Sequence, residues 1–93
     1  MKQIPILYIK RGCPWCREAT GFFDHHGIEV EVRDVNASQQ NMERMVQISG
    51  QSLTPTLEWG EFVVADFGVD ELMDELDQHP DLKRELGLGD EEQ

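Results

Sequence analysis

Two cysteines stand three positions apart in Cys13-Pro14-Trp15-Cys16, and the chain of 93 residues has no others. At the start of a helix, thiols at that spacing share one face a turn apart, near enough to bridge. A cysteine there also meets unpaired backbone N–H groups, which favour the thiolate, the form that attacks disulfides. A helix dipole supplies about 0.3–1 kcal/mol, or about 2 when partly buried. Moving a thiol from about 8.5 to about 5 takes nearly 5 kcal/mol at about 1.36 per unit, so the dipole is insufficient alone. Direct N–H···S bonds and the basic residues Lys10, Arg11 and Arg17 are the candidate supplements. The chemistry expected is thiol–disulfide exchange, with Cys13 as nucleophile and Cys16 as resolving thiol.

A structural bridge is the first alternative, but so short a loop constrains an unfolded chain little. A metal centre is the second. The only nearby histidines, His25 and His26, lie too far along the helix to join Cys16, roughly 13 Å at about 1.5 Å per residue.

Positioning such a pair requires a strand before it and a helix after it. Ile4 to Ile9 is an apolar run that reads as a buried strand, and Pro14 suits the first turn of a helix extending to about His26. Gly27 stands where a helix-ending glycine belongs; Gly21 inside the helix is explained if it packs closely on the sheet. From Ile28 to Val35 the chain alternates, with Ile28, Val30 and Val32 on one face. A second helix is expected from about Ser38 to Ser49, burying Met42, Met45 and Val46 and ending at Gly50. Thr56 to Trp59 and Phe62 to Phe67 read as a hairpin turning at Gly60-Glu61. A third helix spans about Val69 to Asp77, and a short one covers about Asp81 to Leu86 before a mobile tail from Gly87. The order is βαβαββα, an α/β layered domain.

The chain is long enough for one domain over 1–93, with a core at about 4–77 and a short helix and acidic tail at 79–93. A net charge of −11 argues against nucleic acid as a partner. No run is long enough to span a bilayer, so no membrane partner is expected. The N-terminal apolar run is too short for a signal peptide, and Pro5 interrupts it. The expected compartment is the cytoplasm, where paired cysteines point to catalysis or redox sensing. A monomer is expected.

On these residues the chain resembles the glutaredoxins, which have the thioredoxin-like fold. Cys13-Pro14-Trp15-Cys16 is similar to their C-P-Y-C, with Trp15 for tyrosine, and Lys10 matches a lysine three residues before the first cysteine. Leu53-Thr54-Pro55 stands where the family has Thr-Val-Pro, and Gly68-Val69-Asp70-Glu71 resembles the G-G-x-D-D before the third helix, with Phe67 for the first glycine. The resemblance implies a four-stranded mixed sheet flanked by helices, and a cis bond at Pro55. It implies that Pro14, Trp15 and Pro55 support the dithiol. Lys10, Thr54, Val69 and Asp70 would bind glutathione or the substrate thiol, Thr54 through its backbone and the third helix through free N–H groups. No tightly bound cofactor is implied, with glutathione as co-substrate and disulfide-containing proteins as partners. Ser49-Gly50-Gln51, Pro55-Thr56-Leu57 and Gly60-Glu61 are also similar to small glutaredoxin-like redoxins, some of which draw electrons from thioredoxin reductase. The reductant is therefore open between glutathione and that enzyme. A carrier in which two chains hold an iron–sulfur cluster or metal through Cys13 and external thiols is the non-enzymatic alternative.

Overall fold

In the computed structural model, which describes residues 3–88, eight elements follow in order. They are β1 (Ile6–Ile9), α1 (Pro14–His25), β2 (Glu31–Asp34), α2 (Gln39–Ser49), β3 (Thr56–Trp59), β4 (Phe62–Ala65), α3 (Val69–Asp77) and α4 (Pro80–Glu85). The strands form one sheet in the order β2-β1-β3-β4. β1 runs parallel to β2 and antiparallel to β3, while β3 and β4 form an antiparallel hairpin. Parallel neighbours need a crossover of a dozen or more residues, and α1 with its flanking turns supplies it. The sheet is the mixed one expected.

Alternation along the strands sorts the two faces of the sheet. Leu7, Leu57 and Val64 are cross-strand neighbours and point to one side. There they form the main core with Ala19 and Phe23 of α1 and Leu72 and Leu76 of α3. The opposite face carries Tyr8, packed with Val35 and with Met45 of α2. That second face is partly ionic. Tyr8 Oη donates to Glu58 Oε1 at 2.7 Å, and Arg44 Nη2 donates to Glu58 Oε2 at 2.6 Å. A carboxylate buried in a sheet is costly unless paired. Burial pushes the Glu58 carboxyl up, but hydrogen bonds from Arg44 and Tyr8 and the nearby arginine charges outweigh it and hold the group below its usual range. Burial, then the bond to Glu58, pushes the Tyr8 phenol up to about 12.

The helix ends follow their glycines. At the end of α1, Gly27 has φ of 66° and donates to Asp24 O at 3.1 Å, while Ile28 N donates to Phe23 O at 2.8 Å. This is the paired bonding of a Schellman stop, with Ile28 and Phe23 in one apolar cluster. Gly50 closes α2 in the left-handed region. No described helix is long and apolar enough to cross a membrane.

Several boundaries and burials differ from expectation. β1 starts at Ile6 rather than Ile4, α1 ends at His25, α2 starts at Gln39, and α4 starts at Pro80 rather than Asp81. β2 shrinks to Glu31–Asp34, and Val32 is exposed because β2 is an edge strand with no neighbour on one side. β4 stops at Ala65, since Asp66 turns the chain with φ of 52°. On α2, Ile48 packs against the sheet and Val46 is exposed. Met42 and Ile48 lie about 60° either side of Met45 around the helix, whereas Val46 lies about 100° away. Gly21 faces open space, so no close approach explains it. Of the tail expected to be mobile, residues 89–93 lie outside the described residues.

Candidate active site

β1 delivers the chain to Lys10, and a turn through Gly12 brings Cys13 to the mouth of α1. Gly12 has φ of 75°, which only glycine adopts without strain. Cys13 is the N-cap residue, in extended conformation, with Pro14 opening the helix. The Cys16 N–H donates to Cys13 Sγ at 3.1 Å, so the sulfur takes the capping role that an oxygen usually fills. The Cα atoms of Cys13 and Cys16 are 5.2 Å apart and their sulfurs are in disulfide contact. Cys13 is 9% exposed and Cys16 only 2%. An incoming sulfur therefore meets Cys13 first, while Cys16 waits beneath it.

The Thr54–Pro55 bond is cis, and both residues are buried. Thr54 faces Cys13 twice: its carbonyl oxygen lies 3.8 Å from Cys13 Sγ, and its Oγ1 donates to that sulfur at 3.7 Å. Residues 50–55 have no sheet ladder to hold them. Gln51 supplies the substitute: its Oε1 accepts from Leu53 N at 2.6 Å, and its Nε2 donates to Ser49 Oγ at 2.9 Å and Thr56 Oγ1 at 3.1 Å. Thr56 Oγ1 in turn donates to Leu53 O at 2.9 Å.

The dithiol sits between flanks of opposite charge. On one side, Lys10 and Arg17 line a groove of about 190 Å³ that reaches both cysteines; Arg11 is exposed and does not line it. On the other, Trp15, Glu18, Asp66, Gly68, Val69 and Asp70 line a cleft of about 470 Å³. Trp15 is 58% exposed and lies over Gly68, where a Cβ would stand 3.2 Å from the indole. Val69 and Asp70 are thus grouped with Trp15, in a cleft whose lining does not include Cys13. The sequence suggests free N–H groups at the start of α3, but Gly68 N is taken: it donates to Glu71 Oε1 at 2.7 Å. An acid at the third helical position folds back on the residue before the helix, as in a capping box. Among the described residues, no group of three or more His, Cys, Asp or Glu side chains is placed to hold a metal ion.

Sequence reasoning singled out the backbone of Thr54 but not its hydroxyl, and passed over the Gln51 clamp. Glutamine one residue past the helix-ending Gly50, with Thr56 just after the proline, was a readable signal for polar ties across that loop. The hydroxyl-to-sulfur contact spans 41 residues and has no local signature.

A dithiol that closes on itself at a helix mouth, opposite a cis proline, is the working part of the thiol oxidoreductases built on the thioredoxin-like fold. The glutaredoxin family model matches residues 6–64, and the chain belongs to the glutaredoxin family. A glutaredoxin from Brucella melitensis, solved in solution, shares 26% identity at a TM-score of 0.65, with 98% of this chain and 96% of that one covered. A crystal structure of the thioredoxin-like protein BC3987 is similar at 26% identity and a TM-score of 0.69, covering 75% of this chain and 96% of that one. The fold is also that of a buckwheat glutaredoxin crystallised as its glutathione complex, at 18% identity and a TM-score of 0.66, with 92% and 81% covered. The search of curated proteins returned no match.

Proposed function

We propose that the protein reduces protein disulfides or glutathione mixed disulfides through the Cys13/Cys16 dithiol. The observation that carries this reading is the Cys16 N–H bond to Cys13 Sγ, made within a pair close enough to bridge. The Cys13 thiolate attacks one sulfur of the substrate; a Cys13–substrate disulfide forms and the substrate's own S–S bond breaks. The departing thiolate takes a proton from solvent. Cys16, as thiolate, attacks Cys13 Sγ, expelling the second substrate thiolate, which is likewise protonated. Two electrons have passed to the substrate, and the Cys13–Cys16 bridge remains. Two external thiols, or a reductase dithiol, return the electrons by the same exchange in reverse.

Thr54 and Pro55 orient the mixed disulfide against Cys13, with the Thr54 backbone pairing with the bound thiol. Lys10 attracts a substrate carboxylate from the basic flank. Val69 and Asp70 bind the far end of glutathione, Asp70 taking its amino group, and Trp15 forms the wall between. The buckwheat relative's glutathione complex supports glutathione as co-substrate; thioredoxin reductase is the competing electron source. The protein works as a cytoplasmic monomer without a bound cofactor.

Cys13→Ser abolishes exchange, while Cys16→Ser retains turnover of glutathione mixed disulfides and loses turnover of protein disulfides. Full activity in Cys13→Ser refutes the assignment. Feeding the reaction with glutathione and its reductase, or with thioredoxin reductase, decides the reductant by the faster turnover.

A further inference from the structure

Thr54 is 7% exposed, and among the described residues its hydroxyl has one hydrogen-bond partner, the Cys13 sulfur at 3.7 Å. A buried hydroxyl left unpaired is costly, so the direction in which it points carries information. Sulfur is a larger acceptor than oxygen, and the contact is correspondingly longer. The same residue offers its carbonyl oxygen at 3.8 Å. That oxygen only accepts, so it serves a protonated Cys13; the hydroxyl rotates and donates, so it serves the anion.

We propose that the Thr54 hydroxyl is a catalytic group, a second donor to the Cys13 thiolate beside the Cys16 N–H. This rests on the reading of Cys13 as nucleophile. A donor to the charged form favours that form. The hydroxyl therefore holds more of Cys13 as thiolate near neutrality, at some cost in the thiolate's intrinsic nucleophilicity. It also lies beside the charge that returns to Cys13 when an external thiol attacks the outer sulfur of a Cys13 mixed disulfide and expels Cys13 as thiolate.

The test is the rate of iodoacetamide alkylation of Cys13 in the reduced 93-residue chain against pH, with the alkylated residue identified by mass spectrometry. Thr54→Val keeps the shape of the side chain and removes the donor; Thr54→Ser keeps the donor. In Thr54→Val the midpoint moves up, so that below it alkylation is about fivefold slower, or ~1 kcal/mol at about 1.36 per decade. Above the midpoint the rate equals or exceeds wild type, because the more basic thiolate is the stronger nucleophile. Thr54→Ser follows wild type. Coincident profiles for Thr54→Val and wild type overturn the proposal, as does a uniform fall at every pH, which marks a displaced loop rather than a lost donor. Exchange with a small uncharged disulfide is measured alongside. A wild type that exchanges normally while Thr54→Val shows no shift overturns this inference alone; a wild type that does not exchange overturns the oxidoreductase reading and this inference with it.

Discussion

Replacing Tyr8 by phenylalanine removes one oxygen from the middle of the sheet and leaves the ring in place. Tyr8 is fully buried, and its hydroxyl donates to the Glu58 carboxylate at 2.7 Å. Hydrogen bonds to charged groups are worth about 1.5–3 kcal/mol. Glu58 keeps its bond from Arg44 at 2.6 Å, so the carboxylate is not orphaned, and the loss belongs near the lower end, about 1.5–2 kcal/mol. Urea unfolding of the reduced protein at neutral pH measures it as a lower midpoint with an unchanged slope. A second signature follows from the phenol's acidity. Its folded value is raised from 10.0 to about 12, so the fold prefers the neutral form. The associated stability is complete below pH 10 and is lost as the pH rises through about 12, on the order of 2–3 kcal/mol at about 1.36 per unit. Tyr8 is the only tyrosine, so tyrosinate absorbance follows this one group. Tyr8→Phe lacks this contribution to the alkaline loss. A variant within 0.5 kcal/mol of wild type at neutral pH (the range of about ±0.5 usual for uneventful surface changes), with the same alkaline loss, refutes the reasoning.

The acid side of the same network runs the other way. The folded Glu58 value lies below its ordinary 4.5, so its stability is present above that pH and is lost as pH falls through the folded value; unfolding midpoints of Glu58→Gln show a shallower acid dependence than wild type. Leu72 is fully buried in the main core, and Leu72→Ala costs about 2–5 kcal/mol, measured by urea unfolding, without changing the alkylation midpoint of Cys13. Gln51→Ala cuts three ties of the Thr54 loop; the KM for disulfide substrates rises several-fold while the thiol titration of Cys13 stays put, and an unchanged KM removes Gln51 from any positioning role.

Element order was legible because its signals are local. Pro14 after Cys13, Gly27 and Gly50 at helix ends, and Gly60 in the hairpin each act through the backbone of a few neighbouring residues. The placement of Cys13 at the helix mouth was legible for the same reason. What depended on the order of strands was not. Val32 and Val35 look alike in sequence, yet Val32 sits on the outer strand and is exposed, while Val35 packs beside Tyr8 and Met45. Glu58, a charged residue between Leu57 and Trp59, was not singled out from the sequence. Only the central position of β3 and an arginine fourteen residues earlier in the chain make it a buried partner. Within the candidate site, the cysteines could be read from residue types and spacing, whereas Thr54-Pro55 came from the resemblance to glutaredoxins. The opposed charges of the two flanks could not, because Glu18 comes from α1 and Asp66 and Asp70 from the region around the start of α3.

The two sides of the sheet are made of different materials, and so they will soften under different insults. Oil-like packing fastens the helix that presents the thiols; ions and a phenol help fasten α2, from whose last turn Ser49 reaches the loop that would hold the substrate. Strong alkali, which ionises the phenol beside Glu58 and leaves Cys13 a thiolate, should therefore blunt the grip on a bound disulfide while the sulfur chemistry itself still runs, and amide exchange in α2 should quicken before it does in α1.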